Sequence, residues 1–199
     1  MKKRVVENTV LMTCKSFILR NFLFGDDVNA LNQRTLNNRH QEYFEDACMD
    51  RNNPGTRFTT RFPNEEVAPN INYPEVAHKV RQRIINYFHL ENYKSPPSYS
   101  HGIVNGIGYD GGKIEKHIDP TYYPNTKTIH FNAITQQAEE GGHTIIGGVE
   151  YTDVNPKDLL VYQVSEIHHE VTSTKGITPR ILWVFGFCLD DNKIQEIFT

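Results

Sequence analysis

The sequence lacks several features that would assign a chain of 199 residues to a particular class. Its three cysteines, Cys14, Cys48 and Cys188, are too few and too scattered for a disulfide framework or a zinc site. The longest apolar run, Ile181–Leu189, is far too short to span a bilayer. The formal net charge is -3, whereas a protein that coats phosphate backbones usually carries a basic excess.

These absences favour a cytoplasmic protein that crosses no membrane and has no nucleic-acid partner, because free cysteines are typical of the reducing cytosol. No secretory signal is expected, since Glu7, Asn8 and Lys15 interrupt what would be its apolar part. Hydrophobic residues make up 38% of the chain, which is enough for a folded core. The length is that of one domain, so we expect residues 1–199 to form a single unit.

The first part of the chain predicts helices and loops around one early strand. Apolar and β-branched residues within 1–24 indicate the strand, and Asp26 or Asp27 is suited to cap a helix after it. A second helical stretch is expected over roughly 40–50. Proline and glycine residues make the segment 51–69 loop-like.

A longer helix is predicted to begin at Pro74, since proline fits the first turn of a helix. Apolar side chains then recur at every fourth position and form one stripe. This stripe comprises Val76, Val80, Ile84 and Phe88. Two consecutive prolines, at 96 and 97, end the region.

From residue 101 onward the chain consists of short β-prone segments separated by glycine, proline, asparagine and aspartate. Strands are predicted near 101–107, 113–119, 126–133, 143–147, 158–163, 167–172 and 180–188. In the last of these strands both faces are largely apolar, so neighbours should cover it from both sides. We therefore expect a mainly β, α+β fold, in which a double-sheet jelly roll carries N-terminal helices packed on one sheet.

One short motif in the second predicted strand carries metal-binding chemistry. His117 and Asp119 lie two positions apart, so their imidazole and carboxylate point to the same side of a strand. A histidine from a neighbouring strand would complete three ligands on one face of an octahedron, the ligand set of non-haem iron(II) oxygenases. A His-x-Asp pair is also ordinary surface polarity in many chains, so its surroundings decide between these readings.

Those surroundings contain further motifs in a specific order. They are Tyr109-Asp110-Gly111-Gly112, the His-x-Asp pair, Thr128–Asn132, Gly141-Gly142, His168-His169-Glu170-Val171 and Arg180. Over roughly 101–188 this series resembles the 2-oxoglutarate- and iron(II)-dependent dioxygenases, especially their prolyl-hydroxylase-like branch. The resemblance implies a double-stranded β-helix, the cupin-like jelly roll, as the catalytic core, with residues 1–100 as helical support and lid.

The resemblance also implies the ligands of the metal and of the cosubstrate. His117 and Asp119 match the first two iron(II) ligands. His169 is preferred to His168 as the third, because the Glu-Val after it matches the run that follows the family's distal histidine. Arg180 matches the basic residue for the distal carboxylate of 2-oxoglutarate, and a guanidinium can grip a carboxylate through two parallel hydrogen bonds.

Five further residues are candidates for contacts around that centre. Tyr109 and His130 match positions where relatives contact the cosubstrate, although packing in the core or at the rim is an alternative for each. Arg57 and Arg61 lie in the loop-like segment, where they could meet a carboxylate or phosphate of the substrate. Tyr122 is a candidate for the rim of the same pocket. A solvated basic loop is the alternative interpretation of the two arginines.

The implied reaction uses O2 to oxidise a C–H bond while 2-oxoglutarate becomes succinate and CO2. A carboxylate at Asp119 favours hydroxylation over halogenation, because related halogenases carry a small residue there. We expect a free amino acid or a similar small molecule as the substrate, with a prolyl residue of a peptide or protein as the alternative. Nucleic-acid demethylation is disfavoured by the net charge. A cupin-like binding protein without redox chemistry is the alternative of another class.

Overall fold

The computed structural model describes residues 15–38, 45–46, 55–62, 74–97 and 102–199. The helices in these ranges are α1 (Gly25–Asn38), α2 (Glu75–Phe88) and α3 (Asp191–Phe198). The strands are β1 (Ser16–Leu19), β2 (Glu45–Asp46), β3 (Arg57–Phe62), β4 (Ile103–Gly108), β5 (Ile114–His117), β6 (Lys127–Gln136), β7 (Glu140–Gly141), β8 (Thr144–Ile146), β9 (Val149–Tyr151), β10 (Leu159–Gln163), β11 (His169–Val171), β12 (Thr174–Lys175) and β13 (Arg180–Leu189). None of these helices has the length and apolar character that a membrane span requires.

Antiparallel pairing joins the strands into two main sheets. The larger has seven strands in the order β1-β10-β6-β13-β4-β3-β2, and the smaller has four in the order β5-β11-β8-β9. One apolar cluster joins the two sheets, with Val104 and Leu182 from the larger sheet and Ile146 and Tyr151 from the smaller. The predicted jelly roll is therefore confirmed, and each strand predicted after residue 100 overlaps a strand of the structure.

A second apolar cluster lies between the larger sheet and the helices. Phe88 of α2 contacts Phe131 of β6, with ring centroids 5.0 Å apart, and Phe62 stacks on Trp183 at 5.9 Å. Each fully buried large side chain of this kind contributes about 1.5–3 kcal/mol to the free energy of folding. The expected packing of N-terminal helices on one sheet is confirmed.

Strand β13 lies at the centre of the larger sheet, between β4 and β6. All ten of its residues are buried. Trp183 and Phe185 belong to the cluster under the helices, whereas Leu182 and Val184 belong to the cluster between the sheets. The prediction that this strand is covered on both faces is confirmed, and its even-numbered residues face the interior of the jelly roll.

Helix α1 begins one residue before the predicted caps. The carbonyl of Phe24 accepts the first helical hydrogen bond, from the N–H of Val28, so Phe24 occupies the capping position. Asp27 lies in the first turn instead, and its carboxylate accepts a hydrogen bond from the N–H of Phe24 at 3.0 Å. The same carboxylate pairs with Arg83 at 2.6 Å, which ties α1 to α2.

Two predictions for the segment between α1 and α2 were wrong. Residues 45–46, assigned to a helix, form β2, while the rest of the predicted 40–50 helix lies outside the described ranges. Residues 57–62, assigned to a loop, form β3, which pairs with both β2 and β4. In the segment Arg-Phe-Thr-Thr-Arg-Phe, the arginines fall on one face of a strand and the phenylalanines on the other. The neighbouring prolines and glycine obscured this alternation in the sequence.

Candidate metal centre

The predicted metal ligands come from two neighbouring strands of the smaller sheet. His117 of β5 and His169 of β11 are directly opposite each other, and their ring centroids are 4.2 Å apart. Asp119 lies two residues beyond β5, and its backbone N–H donates to the carbonyl of Val164 at 2.9 Å. The candidate ligand atoms of the three side chains all lie within 4.8 Å of one another.

Backbone contacts decide which nitrogen each histidine offers. His117 Nδ1 lies 2.7 Å from the carbonyl oxygen of Glu115, and His169 Nδ1 lies 3.3 Å from that of Ile167. A carbonyl can only accept, so each Nδ1 carries the hydrogen of the neutral ring and each Nε2 keeps its lone pair. This orientation of ligating histidines through the far nitrogen is the usual arrangement at metal sites.

The carboxylate of Asp119 lies between two histidines. Its Oδ1 is 3.3 Å from His117 Nε2, and its Oδ2 is 3.6 Å from His130 Nε2. When its ring is protonated, His117 donates a hydrogen bond to Asp119, and this raises the pKa of His117 above its ordinary value. Asp119 and His169 are only 7% and 6% exposed, whereas the His117 side chain is 30% exposed, so two of the three ligands are buried. Two imidazoles and one carboxylate with this exposure fit a non-haem iron(II) centre.

His169, the first residue of β11, and His168, the residue before it, point in opposite directions. His169 is buried beside the ring of Tyr162, with centroids 5.3 Å apart, whereas His168 is exposed. The structure therefore brings His169, and not His168, to His117 and Asp119. This agrees with the alternation expected of neighbouring strand residues.

A cavity of about 340 Å³ opens beside the three ligands, between the two sheets. Its walls include His130 and Asn132 from β6, Thr144 from β8, Tyr162 from β10 and Arg180 from β13. These side chains belong to four strands that are distant in sequence. The sequence prediction included only His130 and Arg180 of this group.

The Arg180 side chain is buried in this cavity and has few polar contacts. One terminal nitrogen donates to Thr144 Oγ1 at 3.2 Å, and Nε has no hydrogen-bond partner among the described atoms. Burial lowers the pKa of Arg180 to about 10. A buried guanidinium is costly unless an anion pairs with it. The geometry therefore fits a bound carboxylate.

Asn132 and Tyr162 add two polar groups next to that guanidinium. Asn132 Nδ2 donates to the Tyr162 hydroxyl at 2.9 Å, while Asn132 Oδ1 has no partner among the described atoms. Burial, followed by the charge of Asp119, raises the pKa of Tyr162, and the charge of Arg180 acts in the opposite direction. The Tyr162 hydroxyl thus keeps its proton and can donate one hydrogen bond into the cavity.

The fold has clear relatives among solved structures, although the sequence alone matches no family description and no curated protein. The prolyl hydroxylase from Trichoplax adhaerens, solved with a fragment of the hypoxia inducible factor oxygen degradation domain, superposes with a TM-score of 0.63 at 15% identity, over 94% of this chain and 88% of that one. A Pseudomonas putida prolyl-4-hydroxylase gives 0.58 at 15% identity, over 88% and 92% of the two chains. The viral collagen prolyl hydroxylase of Paramecium bursaria Chlorella virus-1 gives 0.60 at 11% identity, over 88% and 96%.

The chain has the fold of the prolyl-hydroxylase-like 2-oxoglutarate oxygenases. At these identities the likeness establishes architecture, so activity must be argued from the side chains. Within this oxygenase fold, the residues singled out from the sequence fall into three groups: those of the triad and Arg180, those near it, and those outside the cavity.

His130 lies near the triad, with its Nε2 atom 3.6 Å from Oδ2 of Asp119. Its ring also packs edge-on against Tyr162, with centroids 6.1 Å apart. His130 is 5% exposed, so it is enclosed with the ligand carboxylate.

Tyr109 and Tyr122 are not among the residues that line the cavity. Tyr109 packs in the cluster under the helices, with its ring 6.1 Å from that of Phe58. The reason is strand alternation: Gly106 lines the cavity, whereas Ile107 packs under the helices, so Tyr109 lies on the same side as Ile107. The phenol that lines the cavity is that of Tyr162.

Arg57 and Arg61 do line the cavity. They lie on β3, and the alternation of the strand turns them, together with Thr59, toward the jelly-roll interior while Phe58 and Phe62 pack under the helices. The segment is a paired strand rather than a loop. Arg57 is half-buried and Arg61 is exposed at the rim.

Proposed function

We propose that this protein is an iron(II)- and 2-oxoglutarate-dependent dioxygenase that hydroxylates an unactivated C–H bond. One observation carries the proposal: two histidines, one carboxylate and a buried arginine converge on a single cavity inside an oxygenase fold. A bare metal-binding protein would have no need for the arginine. When bound at this site, iron(II) with 2-oxoglutarate and O2 supplies the oxidation, and the cosubstrate leaves as succinate and CO2.

His117, Asp119 and His169 would hold the metal, and Arg180 would bind the distal carboxylate of 2-oxoglutarate. Thr144 is two residues from Ile146, which pairs with His169, so Arg180 and Thr144 lie about 6–7 Å along the strand from the ligands. That interval suits a five-carbon dicarboxylate with its keto acid end at the metal. The Tyr162 hydroxyl is the further donor that we assign to the carboxylate.

The apolar walls of the cavity have the second task of keeping water away from the reacting groups. Val104, Val171, Leu182 and Val184 surround the polar side chains. A dry site strengthens each charge interaction and protects reactive species from side reactions. We assign residues 1–199 to one oxygenase domain, with 1–100 as support and lid, and we place the protein in the reducing cytosol.

A free amino acid or another small molecule is our first choice of substrate, with Arg57 and Arg61 as the contacts. A prolyl residue in a peptide is the second candidate, because three structural relatives are prolyl hydroxylases and one was solved with a peptide fragment. Tyr122 remains a candidate for the outer rim, since it is not among the residues that line the cavity itself.

The test of the reaction class is succinate formation by metal-depleted protein to which iron(II), 2-oxoglutarate and candidate substrates are returned. We expect succinate only when iron(II) and O2 are both present, and more of it when an amino acid or prolyl peptide is hydroxylated. The product should be heavier than the substrate by one oxygen atom. Absence of both turnover and 2-oxoglutarate binding would favour a cupin-like binding protein.

His130 is expected to act through Asp119 rather than on the cosubstrate. Because Oδ2 of Asp119 faces His130 and Oδ1 faces His117, His130 would hold one oxygen and leave the other for the metal. Loss of such a supporting contact typically weakens metal affinity by about 10–100-fold. We therefore expect His130→Phe to bind cobalt(II), a spectroscopic substitute for iron(II), about 10–100-fold more weakly.

Cobalt titrations followed by visible absorption measure this effect, and His130→Gln serves as the matched variant that keeps a polar group. In the glutamine variant most of the affinity should return. The sequence-based alternative, a direct cosubstrate contact, predicts the opposite pattern: unchanged cobalt affinity and weaker 2-oxoglutarate binding. Observation of that pattern would overturn the supporting role.

A further inference from the structure

The cavity extends beyond the metal and cosubstrate residues toward β3. In the larger sheet Arg57 pairs with Gly108 of β4, and Gly108 pairs with Arg180 of β13. The next row inward consists of Thr59, Gly106 and Leu182. Both central positions are glycines, so in these two rows β4 itself contributes no side chain between β3 and β13. The backbone of β4 therefore lies between Arg180 and a second arginine, Arg57.

Arg57 lies near both halves of the proposed site. Arg57 lines the same cavity as His117, Asp119 and His169. It also shares a row of the larger sheet with Arg180, because both residues pair with Gly108. A group bound to it would lie close to the reacting centre.

The charges around the cavity favour an anionic guest. The described lining residues include three arginines, and Asp119 is their one acidic member. Iron(II) and the dianion of 2-oxoglutarate would cancel each other, so the loaded cavity would still carry an excess of positive charge. Such a concave, one-signed surface concentrates ligands of the opposite sign.

We propose that Arg57 binds a carboxylate of the substrate, which makes the substrate class a carboxylate-bearing molecule with its reactive carbon near the triad. The inference rests on the proposed function and names what that site accepts. Arg61 is four residues further along the strand, about 13 Å away at the backbone, and it is exposed whereas Arg57 is half-buried. Arg61 therefore lies at the mouth of the cavity and attracts the anion during entry.

The test uses matched pairs of probes that differ only in the carboxylate. Cobalt(II)-loaded protein with 2-oxoglutarate is titrated without O2 with L-proline and L-prolinamide, and with the dipeptide Gly-Pro and its amide. Paramagnetic broadening of the probe's proton signals reports binding near the metal. We expect each acid to bind at least about 10-fold more tightly than its amide, since a charge-assisted pair is worth roughly 1.5–3 kcal/mol. If L-proline binds more tightly than Gly-Pro, the carboxylate is that of a free amino acid. If Gly-Pro binds more tightly, the carboxylate is the C-terminal one of a peptide.

Three variants locate the effect. Arg57→Met should remove the preference for acids, Arg57→Lys should restore part of it, and Lys79→Met, a charge change on the exposed face of α2, should leave it intact. No acid preference in the unaltered protein, or full preference in Arg57→Met, would overturn the inference. Failure of the cobalt-loaded protein to bind 2-oxoglutarate would instead count against the proposed function itself, so the two failures can be told apart.

Discussion

Replacing His169 with alanine should abolish tight metal binding, whereas the same change at His168 should have little effect. The two histidines are adjacent in sequence, but His169 is buried against His117 and His168 is exposed. Loss of a mere supporting contact costs about 10–100-fold in metal affinity, so loss of a ligand should cost more than 100-fold. Turnover of 2-oxoglutarate should fall to background in His169→Ala.

The measurement is a cobalt(II) titration followed by visible absorption, together with succinate formation in iron(II)-loaded protein. His168→Ala is the matched control, because it removes the same side chain from the neighbouring residue. Circular dichroism melts show whether either variant is unfolded. If His169→Ala still binds cobalt tightly and His168→Ala does not, the ligand assignment is refuted. Strand β11 would then have to turn His168, and not His169, toward the site.

Replacing Arg180 with methionine should eliminate 2-oxoglutarate binding while making the ligand-free protein more stable. Removing one partner of a buried charge pair costs about 2–5 kcal/mol in affinity, which corresponds to a dissociation constant at least about 30-fold higher. In the ligand-free protein, the buried guanidinium has one weak hydrogen bond, to Thr144 at 3.2 Å. Exchange of a buried charge for an apolar side chain of similar size is often neutral or stabilising by about 1–4 kcal/mol.

Thermal melts of the metal-loaded protein with and without 2-oxoglutarate measure both parts. The unaltered protein should gain about 2.7 kcal/mol of stability when 2-oxoglutarate is present at 100 times its dissociation constant. Arg180→Met should gain no stability from 2-oxoglutarate. Arg180→Lys keeps the charge but loses the two-pronged geometry, so its gain should be intermediate. A ligand-free methionine variant that melts well below the unaltered protein would show that Arg180 is structural.

These two outcomes would separate the metal-holding part of the site from the cosubstrate-holding part. The first variant should lose metal and therefore everything that depends on it. The second should keep cobalt affinity, because Arg180 contacts no metal ligand directly in the described hydrogen bonds and ion pairs. A protein that loses both properties in both variants would instead have a single cooperative pocket.

Local patterns in the sequence were sufficient to predict most of the jelly roll. Strand alternation in β13 indicated a doubly covered strand, and the structure confirms it. The Glu-Val run after His169 favoured it over His168, and alternation required that only one of the two neighbours face the pocket. The order of the motifs indicated the fold class, and the solved relatives confirm that too.

The sequence was misleading where structure depends on a distant partner. The segment that contains Arg57 and Arg61 follows Pro54 and Gly55 and precedes Pro63, so by local rules it is a loop, yet pairing with β4 makes it a strand. Tyr109 follows a predicted strand closely enough to reach the cavity, but the alternation of β4 turns it under the helices.

Local sequence patterns therefore predicted most strands after residue 100 and placed His117 and Asp119 on one side of a strand, while the resemblance added His169 and Arg180 as candidates. Only the tertiary structure showed that Thr144, Asn132 and Tyr162 surround that arginine, and that Arg57 lies across two glycines from it. The reason is physical: alternation is a property of one strand, whereas register between strands is set by packing among residues far apart in the chain.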